Sequence, residues 1–265
     1  MKVREGDLGL PQMTEIEFLD KLLDENLDLG TGEPKIAAGI GEQMLHMDMK
    51  PLPRSVRARI RDVCSRVVSK NVVLVGGGIG HLSAWLFDLW CDSHENQGNS
   101  QIERPESFRI IEPGARFGVV IDRLIRRYDA ESWATVIQKP WNEVIAEGSS
   151  GILSEIAVNE FAKTSILPMP ISMVIIDLPE GERILAARSA FDIVAPGGIV
   201  LVQEPAVPTG DVGSPNQGEK PTPAQSKVIS FNKWIELVKS VNEEHSIGFT
   251  ELTGGTLVAL IKKSN

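Results

Sequence analysis

Residues 72–90, VVLVGGGIGHLSAWLFDLW, place four glycines within five positions between an apolar run and a helical pattern. VVLV shows no alternation with polar residues, as suits a strand buried on both faces of a sheet. Leu82, Trp85, Leu86 and Leu89 then recur along one helical face. A strand that turns into a helix through bare main chain leaves room for a ligand against the backbone. The helix start adds unpaired N–H groups and the positive end of its dipole. A tight turn without a ligand fits the same spacing.

The alternation continues along the chain. VVLV, FRII, ATVI, SMVII and IVLV read as buried strands, and the helices between them carry Phe117, Ile121, Leu124 and Tyr128, then Ile184, Ala187, Phe191 and Val194, at helical spacing. This predicts an α/β fold, a doubly wound and mostly parallel sheet of Rossmann-like form. The Pro/Gly-rich loop VPTGDVGSPNQGEKPTPA precedes a helix with Val228, Phe231, Ile235 and Val238 on one face. SIGFTEL and TLVALIKK, separated by Gly254 and Gly255, read as a closing β-hairpin.

Ahead of the first strand the chain reads as helical. Thr14 and Glu17 have capping-box spacing before Ile16, Leu19, Leu22 and Leu23. Pro34 opens a second helix through IAAGIGEQML, and Val56, Ile60, Val63 and Val67 form a buried stripe on a third. The organisation expected is a helical extension over 1–68 and a ligand-binding domain over 69–265, together one structural unit.

Spacing bears on the ligand. A dinucleotide fingerprint G-x-G-x-x-G counted from Gly76 needs glycine where His81 stands, whereas G-x-G-x-G fits Gly76, Gly78 and Gly80. That favours S-adenosylmethionine over NAD. Glu112, in FRIIEPG at the end of the second strand, is placed to accept both hydroxyls of a ribose.

VLVGGGIG, IIEPG, VIQKPW, VIIDLP and APGGIVLV together resemble the motifs of class I S-adenosylmethionine-dependent methyltransferases, from about Asn71 to the C-terminus. The N-terminal helices and the ending FNKWIELVKSVNEEHSIGFTELTGGTLVALIKK are most similar to the catechol and caffeoyl-CoA-type small-molecule O-methyltransferases. The resemblance implies that Gly76, Gly77, Gly78 and Gly80, with His81 through its backbone, bed the amino-acid part of the cofactor. It puts Glu112 and Pro113 at the ribose and Lys139, Pro140 and Trp141 near the adenine. Trp141 is open to two roles, a stack on the purine or a core tryptophan. Dimerisation through the N-terminal region is a further implication.

Methyl transfer to oxygen needs the acceptor aligned with the sulfonium methyl and relieved of its proton, by a base or by a metal. In the resembled family an Asp after strand four and an Asp–Asn pair after strand five hold a divalent cation. Asp177 in VIIDLP matches the first position, but Glu204 and Pro205 occupy the place of the pair, and the lysine often found soon after the first Asp is absent from DLPEGE. No metal is expected. Asp177 and Glu204 remain candidates for acid/base or orienting roles at the ligand crevice, with loop capping as the alternative. Asp177 also counts among the residues bordering the cofactor. His46, in QMLHMDMKP, is a third candidate base or a packing histidine.

The net charge of −9 disfavours a general nucleic-acid binder. Arg54, Arg57 and Arg61 on one helical face, and Arg59 and Arg66 on another, are read as a solvated face rather than an anion site. Cys64 and Cys91 lack metal-ligand spacing and suit a reducing cytoplasm, and no stretch has the length of a membrane span. The expected function is O-methylation of a small-molecule acceptor. A peptide or protein methyltransferase, a non-catalytic cofactor-binding module and an aminopropyl transferase are the alternatives.

Overall fold

The computed structural model describes residues 32–67, 69–91, 102–147, 166–210, 212–213 and 220–263. The apolar runs become parallel strands β1 (Asn71–Val75), β2 (Ser107–Ile111), β3 (Ala134–Ile137), β4 (Ile171–Ile176) and β5 (Val194–Gln203), and the tail forms an antiparallel hairpin, β6 (Ser246–Leu252) and β7 (Gly255–Ile261). The sheet runs β3-β2-β1-β4-β5-β7-β6, with β7 antiparallel to β5. The expected doubly wound α/β architecture is present. Because β1 pairs with β2 on one side and β4 on the other, the chain switches direction there and opens a crevice at the carboxyl edge of the sheet.

Register decides what faces that crevice. Val75 lies opposite both Ile111 and Ile176, so Gly76, Glu112 and Asp177 each stand one residue beyond paired strand ends, level with one another. Val202 lies opposite Ile176, which brings Gln203 to the same edge. Three chain segments distant in sequence therefore deliver their turn residues to one line.

Helices cover both faces: α1 (Lys35–His46), α2 (Arg54–Arg66), α3 (His81–Cys91), α4 (Ala115–Arg127), α5 (Glu180–Ile193) and α6 (Pro223–Glu244), with a short helical stretch over 141–147. Alternate strand residues feed two cores. Val72 and Leu74 join Val56, Ile60, Leu82, Trp85 and Ile121 on one side, while Val73 and Val75 join Ile184, Ala187, Trp234 and Leu237 on the other. The described part of the helical extension shares the first of these cores and is not a separate body. Within it Phe87, Trp90, Phe108, Tyr128 and Trp133 meet at centroid separations between 5.2 and 6.4 Å, mostly edge to face.

Two sequence expectations change in detail. On α6 the fully buried residues are Trp234, Leu237 and Val241, with Phe231, Ile235 and Val238 only partly buried, so the inward stripe is rotated by about one position from the expected one. The start of that helix carries a signal the apolar pattern passes over. The Thr222 side chain accepts from the Gln225 N–H and the Gln225 side chain accepts from the Thr222 N–H, a reciprocal capping box. The predicted capping box at Thr14 and Glu17 and part of the Pro/Gly-rich loop lie outside the described residues. Among the described residues no helix is long and apolar enough to cross a membrane.

Phe108 is 0% exposed and touches Phe87, Trp90 and Trp133. Phe108→Ala is expected to lower stability by about 3–5 kcal/mol, the usual cost of emptying such a site, read as a lower midpoint in urea denaturation.

Candidate active site

The turn after β1 is built on close approach. Gly76 has φ +96°, and a Cβ there would come within 2.0 Å of the Asp177 carbonyl oxygen, so only glycine lets β1 and β4 end side by side. The N–H groups of Gly76 and Gly77 both donate to the Ile111 carbonyl, and the Asp177 N–H donates to that of Val75. Gly77 packs against Ile110 and Ile121, too tightly for a side chain. Gly78 (φ +53°) differs: among the described residues a Cβ there would meet only the tip of Met49, at 3.9 Å, so its bare face is loosely packed. α3 starts immediately after, with the Ala84 N–H donating to the Gly80 carbonyl.

Glu112 ties two turns together. It is buried, and its Oε2 accepts from the Gly78 N–H at 2.7 Å while Oε1 accepts from the Gly114 N–H at 2.8 Å. Each oxygen keeps a further lone pair for a ligand hydroxyl. Pro113 beside it is exposed. On the next strand over, the Lys139 ammonium donates to both oxygens of Glu147, and Trp141 packs against the α5–α6 core with its indole N–H donating to Ser189 Oγ at 2.8 Å. Of its two open roles, the packing one is visible. Pro140 accepts the N–H of Val144 through its carbonyl.

Two arginines act on Asp177. Burial pushes its carboxyl up to about 7, while the charges of Arg183 on α5 and Arg57 on α2 pull it down. Glu204, one residue beyond β5, accepts the Trp234 indole N–H at 3.0 Å and so is turned toward α6. A divalent cation needs several oxygen donors converging at one point. Asp177 and Glu204 are held separately, Pro205 brings no side-chain donor, and among the described residues no three His, Cys, Asp or Glu side chains converge. The described residues do not fit a metal.

The segment before β1 covers the glycine turn. One oxygen of Glu33 accepts from Arg57 Nη2 (3.0 Å), His81 Nε2 (3.0 Å) and Trp85 Nε1 (3.3 Å). Burial acts to raise the Glu33 carboxyl, but the His81 hydrogen bond and the Arg57 charge outweigh it and hold it below its usual range. His81 is held below its ordinary value, first by burial and then by Arg57. Its side chain is therefore occupied with Gly41 of α1 and Glu33. The turn between β6 and β7 closes the same rim, with the Gly254 N–H donating to Ser55 Oγ on α2 and Gln203 donating to the Gly254 carbonyl.

Three of the five arginines of α2 contradict the sequence reading, while Arg54 is exposed as expected and Arg66 is partly exposed. Arg57, Arg59 and Arg61 are 6%, 2% and 8% exposed, not solvated. Arg59 and Arg66 pair with Asp62, and Arg61 pairs with Asp88 of α3 at 2.5 Å. Arg57 donates to Glu33 and to the Leu52 carbonyl and lies over the Trp85 ring, 5.4 Å from its centroid. Paired carboxylates and an aromatic face replace the water that the helical-wheel reading assumed. His46 is exposed in the last turn of α1. Glu33, Met49, Arg57 and Arg183 were not identified as site residues, because no local pattern in the sequence separates them from ordinary surface residues.

No family model matches the chain, and no curated protein matches it in sequence. Solved structures do match in shape. A Staphylococcus aureus protein proposed to be a caffeoyl-CoA O-methyltransferase superposes with TM-score 0.59 at 14% identity, over 89% of this chain and 96% of that one. The fold is the class I methyltransferase fold. An O-methyltransferase from Bacillus cereus, solved in complex with SAH, shares it at TM-score 0.54 and 11% identity, over 89% and 94% of the two chains. The O-methyltransferase TomG of Streptomyces achromogenes, involved in tomaymycin synthesis and solved with SAM, shares it at 0.51 and 14%, over 94% and 100%. On the methyltransferase fold, the edge bearing Gly76, Glu112 and Asp177 is the crevice at the switch point of the sheet.

Because the folded Asp177 carboxyl titrates near 7, above the roughly 3.9 of an unfolded chain, stability from this group is full below about pH 4 and is lost as pH rises through 7. Asp177→Asn, neutral throughout, should therefore melt at a higher temperature than the parent at pH 8. The advantage should shrink as pH falls and vanish near pH 4, which thermal denaturation across that range checks.

Proposed function

We propose that this chain transfers the methyl group of S-adenosylmethionine to an oxygen of a small-molecule acceptor, without a metal. One observation carries the reading: a side-chain-free turn loosely packed at Gly78, a ribose-competent acid at Glu112 and a second acid at Asp177 lie level along the carboxyl edge of the sheet. The Bacillus cereus and Streptomyces achromogenes proteins, solved with SAH and SAM on this fold, support it.

When bound, S-adenosylmethionine supplies a methyl group on a positively charged sulfur, whose carbon–sulfur bond breaks, leaving its electron pair on sulfur, as the acceptor oxygen bonds the carbon. The chain supplies placement and charge. Main-chain N–H groups of the first turn of α3 would receive the amino-acid part, those of Gly76, Gly77 and Gly78 being already bonded to Ile111 and Glu112, and the free lone pairs of Glu112 would receive the ribose hydroxyls. Met49 and α1 cover the turn and limit the entry of water. Asp177, titrating at about 7, takes the acceptor's hydroxyl proton near neutral pH.

A second reading, a module that binds the donor without transferring its methyl, is favoured by Glu204, whose carboxylate is engaged with Trp234 and leaves Asp177 to act alone. Calorimetry with S-adenosylmethionine, followed by transfer assays against phenols, carboxylic acids and peptides, separates the two.

Glu112→Ala should weaken S-adenosylmethionine binding by at least about tenfold, the scale of lost hydrogen bonds to a charged group. Asp177→Asn should keep binding within a few-fold and lower turnover by about a hundredfold or more. EDTA should leave the rate unchanged. Absence of donor binding in the folded parent chain sinks the proposal; binding with no transfer to any acceptor favours the module.

A further inference from the structure

Arg183 lies near the start of α5, six residues past Asp177, and is 9% exposed. Its guanidinium donates from Nε to the Leu178 carbonyl at 3.2 Å and from Nη1 to the Gln203 carbonyl at 3.1 Å. Leu178 follows Asp177, and Gln203 ends the neighbouring strand, so the planar group bridges the tips of β4 and β5. A buried cation is costly to desolvate, and two carbonyls could be bridged by a neutral donor. The charge itself therefore calls for a role. Its electrostatic partners are Asp177 and, on its own helix, Glu180.

From the opposite layer Asp177 feels Arg57, whose charge is already matched in contact by Glu33 beside His81. Glu204 of the β5 tip is turned to Trp234. Arg183, anchored to main chain alone by its hydrogen bonds, is the larger positive influence on Asp177.

We propose that Arg183 is the positioning residue on the acceptor side of the crevice: pinned by the Leu178 and Gln203 carbonyls, it fixes the tips of β4 and β5 and holds a permanent positive charge beside Asp177, keeping that carboxylate ready to receive the acceptor's proton. The role in proton transfer rests on the methyltransferase reading; the coupling of Arg183 to Asp177 does not.

The test uses the full chain with neither cofactor nor acceptor. Carbon-detected NMR of carboxyl-labelled aspartate, with the Asp177 signal assigned by its loss in Asp177→Asn, gives the titration midpoint in the parent, Arg183→Gln, Arg183→Met and Arg183→Lys, each checked for folding by circular dichroism. The two neutral variants are expected to raise the midpoint by about one unit, and lysine, which keeps the charge, to stay near the parent. An unshifted midpoint in either folded neutral variant overturns the proposal, as does an equal rise in Arg183→Lys, which would leave only the bridging. Should neither neutral variant fold, a folded Arg183→Lys at the parent midpoint supports it and a raised one overturns it. S-adenosylmethionine binding to the parent, measured in parallel, tests the functional reading separately, since its failure leaves the titration intact.

Discussion

The contact on which the rest depends is the approach of Gly76 to the main chain of Asp177. Two strand ends can lie this close only because one of the residues has no side chain, and the hydrogen bonds from Gly76, Gly77 and Asp177 to the carbonyls of Ile111 and Val75 then lock three strand tips at one level. From that alignment follow the positions of Glu112 against Gly78, of Gln203 beside Leu178, and of the first turn of α3 at the crevice. A side chain at position 76 would separate β1 from β4 at the place where the acid and the bare turn need to meet.

Charge is organised around that edge in layers. Glu112 accepts N–H donors of the two turns it joins, whereas burial raises the Asp177 carboxyl against the charges of Arg183 and Arg57. Two carboxylates level on one edge thus differ in their partners: both oxygens of Glu112 accept main-chain N–H groups, whereas Asp177 titrates at about 7, where a proton can be taken or released near neutral pH. Glu33 links α2 and α3 through Arg57 and His81, and Met49 lies against Gly78, so the described part of the helical extension packs on the glycine turn as well as on the core.

Much of the fold was legible because its signals are local. VVLV, SMVII and IVLV became central strands, the stripe Val56, Ile60 and Val63, continued by Val67 just past the helix end, became the buried face of α2, and the hairpin turns at Thr253 and Gly254, one residue earlier than the two glycines suggested, with Gly255 opening β7. Arg57, Arg59 and Arg61 of the same helix depart from the solvated-face reading for an equally physical reason. A helical wheel shows which residues share a face and says nothing of whether Asp62, Asp88, Glu33 and the Trp85 ring will be brought against them. Arg183 escaped notice likewise, since its partners are carbonyls, which every residue possesses.

By itself the sequence determined the alternation of strands and helices, the bare turn and the acid one strand over, since periodicity and glycine spacing act within a few residues. Only the tertiary structure decided that Glu204 turns to Trp234 while burial, Arg183 and Arg57 act on Asp177, and that Arg57, Arg59 and Arg61 lie inside. Desolvation and long-range pairing set those outcomes, and both depend on which distant segments the sheet register brings together.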